Sequence, residues 1–139
     1  MRIDPRRVRP PQPESLGLQL AAGRAVMGAA ILAFPVPAAR LLGADTATAR
    51  RVSWMTRMLA VRDGALGVGG AIATRRGTGT AAAGWLLAGA VSDATDALVY
   101  AAALRQGRLR GAVPTLIVPG AALAAAVGAV AAAGLRRRG

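Results

Sequence analysis

The sequence predicts an all-α fold, a four-transmembrane-helix bundle with a flexible basic N-terminal tail, on three observations. The 139 residues are 54% hydrophobic but only 3% aromatic, so alanine, valine, leucine and 18 glycines supply most of the apolar content. Such small residues suit a membrane, where they let helix backbones approach closely. Long apolar runs also alternate with short arginine clusters, the arrangement expected where helices end at anionic headgroups.

Each segment of the chain has its own compositional signal. A tail, residues 1–15, is rich in proline and arginine and cannot bury apolar area, so we expect it to be disordered. A membrane domain, residues 16–135, follows, and a basic C-terminus, residues 136–139, ends the chain. The domain contains four apolar stretches long enough to cross a bilayer. These predicted spans cover about 16–34, 55–74, 82–104 and 112–135.

The first apolar stretch is predicted to be a membrane span, and the segment after it is predicted to be a connector. The first span has a basic start and a Pro-Ala-Ala sequence after it, as in a signal peptide, but its length and the central Arg24 favour a membrane span. Pro35 and Pro37 end it. In the connector, residues 38–43 and 46–54 could each form a short amphipathic turn at the membrane interface.

The charge distribution bears on partners and on orientation. All 18 basic residues are arginine and the net charge is +12, yet without aromatic platforms for bases we expect no nucleic-acid binding. The expected partners are a lipid bilayer with anionic headgroups and another membrane protein or a second copy of the chain. Nine arginines lie on the side of both predicted termini and seven on the other, which favours both termini in the cytoplasm.

Five charged residues fall inside the predicted spans, and each would cost about 2.5–3.5 kcal/mol at bilayer depth unless compensated. Successive spans run in opposite directions, so residues of similar depth can be matched at about 1.5 Å per residue. This matching pairs Arg24 with Asp93 and Arg62 with Asp96. Asp63 then either shares Arg62, or one carboxyl takes up a proton. The predicted intramembrane charge cluster is Arg24, Arg62, Asp63, Asp93 and Asp96.

Helical spacing predicts which faces pack inward. One stripe of the third span follows a 3.6-residue period and should face the other helices. It consists of Trp85, Gly89, Asp93 or Ser92, Asp96 and Tyr100. Gly28, one turn after Arg24, should leave room for a partner helix. On the last span, small residues recur every four positions, a pattern typical of close helix contact. This predicted packing face is Gly120, Ala124, Gly128 and Ala132.

The residue types present also limit the chemistry. The chain has no cysteine and no histidine, which excludes thiolate nucleophiles, imidazole bases and the usual zinc ligands. Asp63-Gly64 is similar to the start of the CDP-alcohol phosphotransferase motif, but Gly67-Val68 stands where that motif has Ala-Arg. The later aspartates, moreover, lie on another span. We therefore predict no catalytic residue, no metal site and no cofactor, and we expect a protein that is not an enzyme.

A broader resemblance rests on Gly23-Arg24 and Gly28, the prolines after the first span, Leu42-Gly43, the sequence from Arg62 to Gly67, and the Asp93/Asp96 pair. Residues 16–135 resemble small actinobacterial four-helix integral membrane proteins grouped as a domain of unknown function. The resemblance implies a four-span topology in the bacterial plasma membrane and brings no activity with it.

Two functional interpretations follow from these features. The first is a structural or interaction subunit stabilised by intramembrane Arg–Asp pairs. The alternative is a small transporter or proton-coupled carrier that uses the same charges. A closed pair network favours the first interpretation, and a water-filled cavity reaching the charges favours the second.

Overall fold

In the computed structural model, residues 12–77 and 79–137 are described, and this part of the chain consists of helices joined by short turns. Four helices are long, with 21, 23, 27 and 25 residues, and two short ones lie in the connector between the first two long helices. In chain order the helices are α1 (Pro13–Ala33), α2 (Pro35–Leu41), α3 (Thr46–Arg51), α4 (Ser53–Arg75), α5 (Gly79–Arg105) and α6 (Ala112–Arg136).

Prolines and one aspartate set the boundaries at the start of the chain. Pro13 and Pro35 each stand at the beginning of a helix, where the missing N–H is not needed. Pro35 thereby separates α1 from α2, as the sequence predicts. The predicted disordered tail, residues 1–15, is wrong at its end, because the helix already includes residues 13–15. The rest of that prediction, residues 1–11, lies outside the described residues.

Asp45 caps the N-terminus of α3. Its Oδ1 accepts hydrogen bonds from the backbone N–H groups of Ala47 (2.9 Å) and Thr48 (3.0 Å), which would otherwise lack partners. Hydrogen bonds from the hydroxyl and then the backbone N–H of Thr48 lower the pKa of the Asp45 carboxyl. The capping interaction therefore contributes fully above the ordinary pKa of an aspartate and is lost as the pH falls through the lowered value.

The long helices pack most extensively as two pairs, α1 with α4 and α5 with α6. Two glycines bring the first pair together. A Cβ atom on Gly28 would lie 2.6 Å from the backbone nitrogen of Gly64 and 2.7 Å from the carbonyl oxygen of Ala60. In return, a Cβ on Gly67 would lie 2.4 Å from the backbone nitrogen of Ala25. Gly28 thus provides the room for a partner helix that the sequence predicts, and backbone meets backbone at two levels.

Small side chains fill the interior and large ones cover the outside. Among the described residues, the buried hydrophobic side chains are all alanine except Leu86 and Leu135. Each long helix exposes large apolar side chains, for example Val26 on α1, Met58 on α4, Leu98 on α5 and Val130 on α6. A water-soluble protein of this size rarely exposes so much contiguous apolar surface. The distribution suits an apolar solvent around the helices.

Three of the described helices are long and apolar enough to cross a membrane: Glu14–Ala33 in α1, Gly79–Arg105 and Ala112–Arg136. The second predicted span, at about 55–74, corresponds to α4, which does not meet this description. The reason is its charge, because α4 carries three arginines and one aspartate along 23 residues. By length and composition the described part of the chain therefore provides three candidate spans, one fewer than the four spans predicted from the sequence.

Candidate functional site: an arginine–aspartate network

All five predicted charges meet near the middle of three long helices. Arg24 lies in α1, Arg62 and Asp63 in α4, and Asp93 and Asp96 in α5. They form an alternating chain, in the order Asp93, Arg24, Asp63, Arg62, Asp96, in which every neighbouring pair is an ion pair. We call these five residues the Arg–Asp network. Each guanidinium lies between two carboxylates, which is how a charge away from water is best compensated.

Arg24 connects α1 to both of the other helices. Its Nη1 donates to Asp63 Oδ1 at 3.1 Å, and its Nη2 donates to Asp93 Oδ2. Nη2 also donates to the carbonyl oxygen of Gly89 at 3.4 Å. Gly89 matters here because a Cβ at this position would lie 3.5 Å from the Nε of Arg24, in ordinary contact with the guanidinium. The guanidinium of Arg24 thus lies directly against the backbone of α5 at Gly89.

Arg62 forms the second junction of the network. Its Nη2 donates to Asp96 Oδ2 at 2.7 Å, and its Nη1 donates to Asp96 Oδ1 at 3.3 Å, which makes a two-pronged contact with one carboxylate. Its Nε and Nη2 also donate to Asp63 Oδ1, both at 3.2 Å. Arg62 therefore ties α4 to α5, as Arg24 ties α1 to α5.

The network becomes more exposed from one end to the other. The side chains of Asp93 and Arg24 are 15% and 17% exposed, whereas those of Asp96 and Arg62 are 30% and 36% exposed. The Arg62–Asp96 pair therefore lies at the open edge of the network, between α4 and α5. On α5, Tyr100 is half-buried one turn beyond Asp96.

Most of the predicted geometry of the charges is present. The Arg24–Asp93 and Arg62–Asp96 pairs expected from depth and sign both occur. Asp63 shares Arg62, as one of the two expected alternatives requires, but it also accepts from Arg24 through the same oxygen. Depth and sign alone do not predict this second contact.

The stripe predicted on α5 has mixed surroundings. The indole ring of Trp85 lies over α4, because a Cβ on Gly69 would meet its ring atoms at 2.7 Å. Gly89, Asp93 and Asp96 face the arginines. Ser92 has a buried hydroxyl oxygen without a hydrogen-bond partner among the residues that the structure describes. The stripe therefore faces α1 and α4 along much of its length, as its spacing predicts.

The packing face predicted on α6 holds for only part of its length. Gly128 and Ala132 are buried, and a Cβ on Gly128 would lie 3.3 Å from the Cβ of Ala90 on α5. Ala124 is half-buried. Gly120 is exposed, and a Cβ there would have no atom within 4 Å. The prediction is therefore wrong at Gly120, where no described residue approaches the helix.

The network offers carboxylates and permanently charged guanidiniums, and thus groups that can bind a proton or hold helices together. Among the described residues, no group of three or more histidine, cysteine, aspartate or glutamate side chains is placed to hold a metal ion. Comparison of the chain with protein-family models, with curated proteins and with solved structures finds no match in any of the three. The Arg–Asp network and the apolar surface around it are therefore the features from which a function can be inferred.

Proposed function

We propose that this protein is a non-enzymatic, multi-pass protein of the bacterial plasma membrane, a structural or interaction subunit whose helices are held in register by the Arg–Asp network. The observation that carries this proposal is the closed pairing of the network. Every guanidinium has two carboxylate partners, and the pairs connect three helices that are far apart in the chain. Such pairing specifies one arrangement of the helices, which is the best-attested role of buried polar groups.

In this proposal the protein is a four-helix bundle, and α4 crosses the membrane in addition to the three candidate spans. The charges that exclude α4 from the apolar helices are distributed in a way that suits a span. Arg57 and Arg75 lie near its two ends, and Arg62 and Asp63 are paired within the network. Its outer surface carries exposed Met58, Val61, Val68 and Ile72. The segment between Arg57 and Arg75 is also long enough to cross the hydrocarbon core of a bilayer.

A kinship with the small actinobacterial four-helix membrane proteins is part of the same proposal. It rests in part on Gly23-Arg24, on the sequence from Arg62 to Gly67 and on the Asp93/Asp96 pair, which together supply all five network residues. In this interpretation the residues that carry the resemblance include those that join α1, α4 and α5.

The topology can be tested with single cysteines, because the natural chain has none. Arg51→Cys, Arg76→Cys and Gln106→Cys place a thiol in three exposed turns or helix ends. If α4 crosses the membrane, an impermeant maleimide added to intact cells should label positions 51 and 106 but label position 76 only after permeabilisation. This pattern corresponds to both termini in the cytoplasm. Equal accessibility of positions 51 and 76 would instead leave only three spans and remove the four-helix bundle.

The structural role can be separated from the carrier alternative by a flux assay. We expect proteoliposomes containing the protein to dissipate an imposed pH gradient no faster than liposomes containing Asp63→Asn, because a network that only holds helices moves no proton. A pH-sensitive dye trapped inside the liposomes gives the rate. Asp45→Asn, which changes an exposed carboxyl outside the network, is the matched control. If the protein conducts protons, and this flux is abolished by Asp63→Asn but preserved by Asp45→Asn, then the protein is a proton carrier and the proposed structural role is wrong.

A further inference from the structure

The Arg–Asp network contains two guanidiniums and three carboxylates. The other charged groups on the long helices lie towards their ends, and α6 has no charged residue before its last turn. The network therefore carries one negative charge in excess if all three carboxyls are ionised. An unbalanced charge at the middle of a bilayer is costly, and arginine cannot supply the adjustment because it remains protonated.

The three carboxyls are not equivalent candidates for a proton. Asp63 accepts from both guanidiniums through Oδ1, and Asp96 accepts from Arg62 through both of its oxygens. Asp93 accepts only through Oδ2, from Arg24, and its Oδ1 accepts no hydrogen bond from the described residues. A carboxylic acid can carry a proton on one oxygen while the other accepts a hydrogen bond. Asp93 and Asp63 both leave one oxygen without a hydrogen bond from the described residues, but Asp63 accepts from two guanidiniums and Asp93 from only one, so the negative charge of Asp93 is less well compensated.

The surroundings of Asp93 favour the same assignment. Its side chain is the least exposed of the three, at 15%, against 20% for Asp63 and 30% for Asp96. Three charged groups lie near it: Arg24 from α1 pairs with it, Asp63 from α4 shares that guanidinium, and Asp96 lies one turn further along α5. Two of these three neighbours are carboxylates, which disfavour a further negative charge.

We propose that Asp93 is a proton-binding site and that its Oδ1 holds one proton when the network is complete. The proton comes from water, forms an O–H bond with Oδ1 and brings the network from a net charge of −1 to zero. The proposal rests on the membrane placement proposed above and goes beyond the structural role, because it gives the network a bound ligand. A monovalent cation at the same oxygen would balance the charge equally but would leave the carboxyl ionised.

Infrared spectroscopy of the full chain in lipid nanodiscs at neutral pH tests the proposal. A protonated carboxyl gives a C=O stretching band that is separate from the carboxylate bands and shifts in D₂O. We expect one such group per chain in the parent and none in Asp93→Asn. Asp45→Asn should keep the band unchanged. Asp96→Glu, which preserves the charge balance, should keep the band at its original position, whereas Asp93→Glu should move it.

Absence of the band in the parent would overturn the proposal, and so would its survival in Asp93→Asn. The first outcome would mean that the charge is tolerated or balanced by a cation. If Asp93→Asn fails to fold, the band position in Asp93→Glu decides the assignment. The cysteine-labelling pattern reports on the membrane placement independently, so failure of the proton site and failure of the proposed topology give different results.

Discussion

Replacing Arg24 by glutamine should destabilise the protein by about 3–5 kcal/mol, the range for breaking a buried ion pair from one side. Arg24 is 17% exposed and is the only described residue of α1 that pairs with the network. Its loss leaves Asp63 with one guanidinium instead of two and leaves Asp93 with none. The free energy of unfolding, measured by denaturant titration in a single detergent, gives the size of the effect.

Two further variants make the Arg24 result interpretable. Arg57→Gln removes the same charge from an exposed position on α4 outside the network and should change stability by less than about 0.5 kcal/mol. The double variant Arg24→Gln/Asp63→Asn should recover part of the lost stability, because it also removes a carboxylate that Arg24 compensates. If Arg24→Gln unfolds at the same denaturant concentration as Arg57→Gln, the network does not hold the helices together.

Gly67→Ala should be strongly destabilising, because the close approach of α1 and α4 leaves no room for a methyl group at this position. The new Cβ would lie 2.4 Å from the backbone nitrogen of Ala25 and 2.6 Å from the carbonyl oxygen of Ala21. Backbone atoms of a helix cannot yield as a flexible side chain can, so α1 and α4 must separate. We expect a loss of at least about 1–3 kcal/mol, the usual range for overpacking, because separation also lengthens the Arg24–Asp63 contact.

Gly64→Ala is the matched control for Gly67→Ala. It lies on the same helix one turn earlier, and a Cβ there would have no atom within 4 Å. Alanine favours a helix over glycine by about 1 kcal/mol, so this variant should be as stable as the parent or more stable. Equal melting temperatures for the two alanine variants would show that α1 and α4 do not approach as closely as described.

The pairings of Arg24 with Asp93 and of Arg62 with Asp96 could be predicted because they depend on depth and sign. Helix rise and alternating direction determine depth, and both follow from the sequence. The contact between Arg24 and Asp63 could not be obtained this way, because it depends on how closely α1 approaches α4. That distance is set by Gly28 and Gly67 together, and the sequence does not reveal that Gly28 meets the backbone of Gly64 while Gly67 meets the backbone of Ala25.

The α6 face shows a different limit of the sequence. A four-residue period identifies small residues on one side of a helix, but it does not say over what length a neighbour follows that side. Gly128 meets Ala90 of α5, whereas Gly120, two turns earlier, meets no described residue. A third limit concerns α4, whose charge content keeps it out of the candidate spans, because composition does not reveal that Arg62 and Asp63 are paired.

The order of the network residues along the chain has a consequence for biosynthesis. Arg24 precedes Asp63 by 39 residues and Asp93 by 69 residues. At about 5–20 residues per second, Asp63 is synthesised roughly 2–8 s after Arg24, and Asp93 roughly 3–14 s after it. During that interval α1 carries a guanidinium without a carboxylate partner, so its stable residence in lipid must wait for α4. The first helix therefore depends on a later one for the compensation of its charge, and a ribosome that stalls before Asp63 leaves Arg24 without a carboxylate partner.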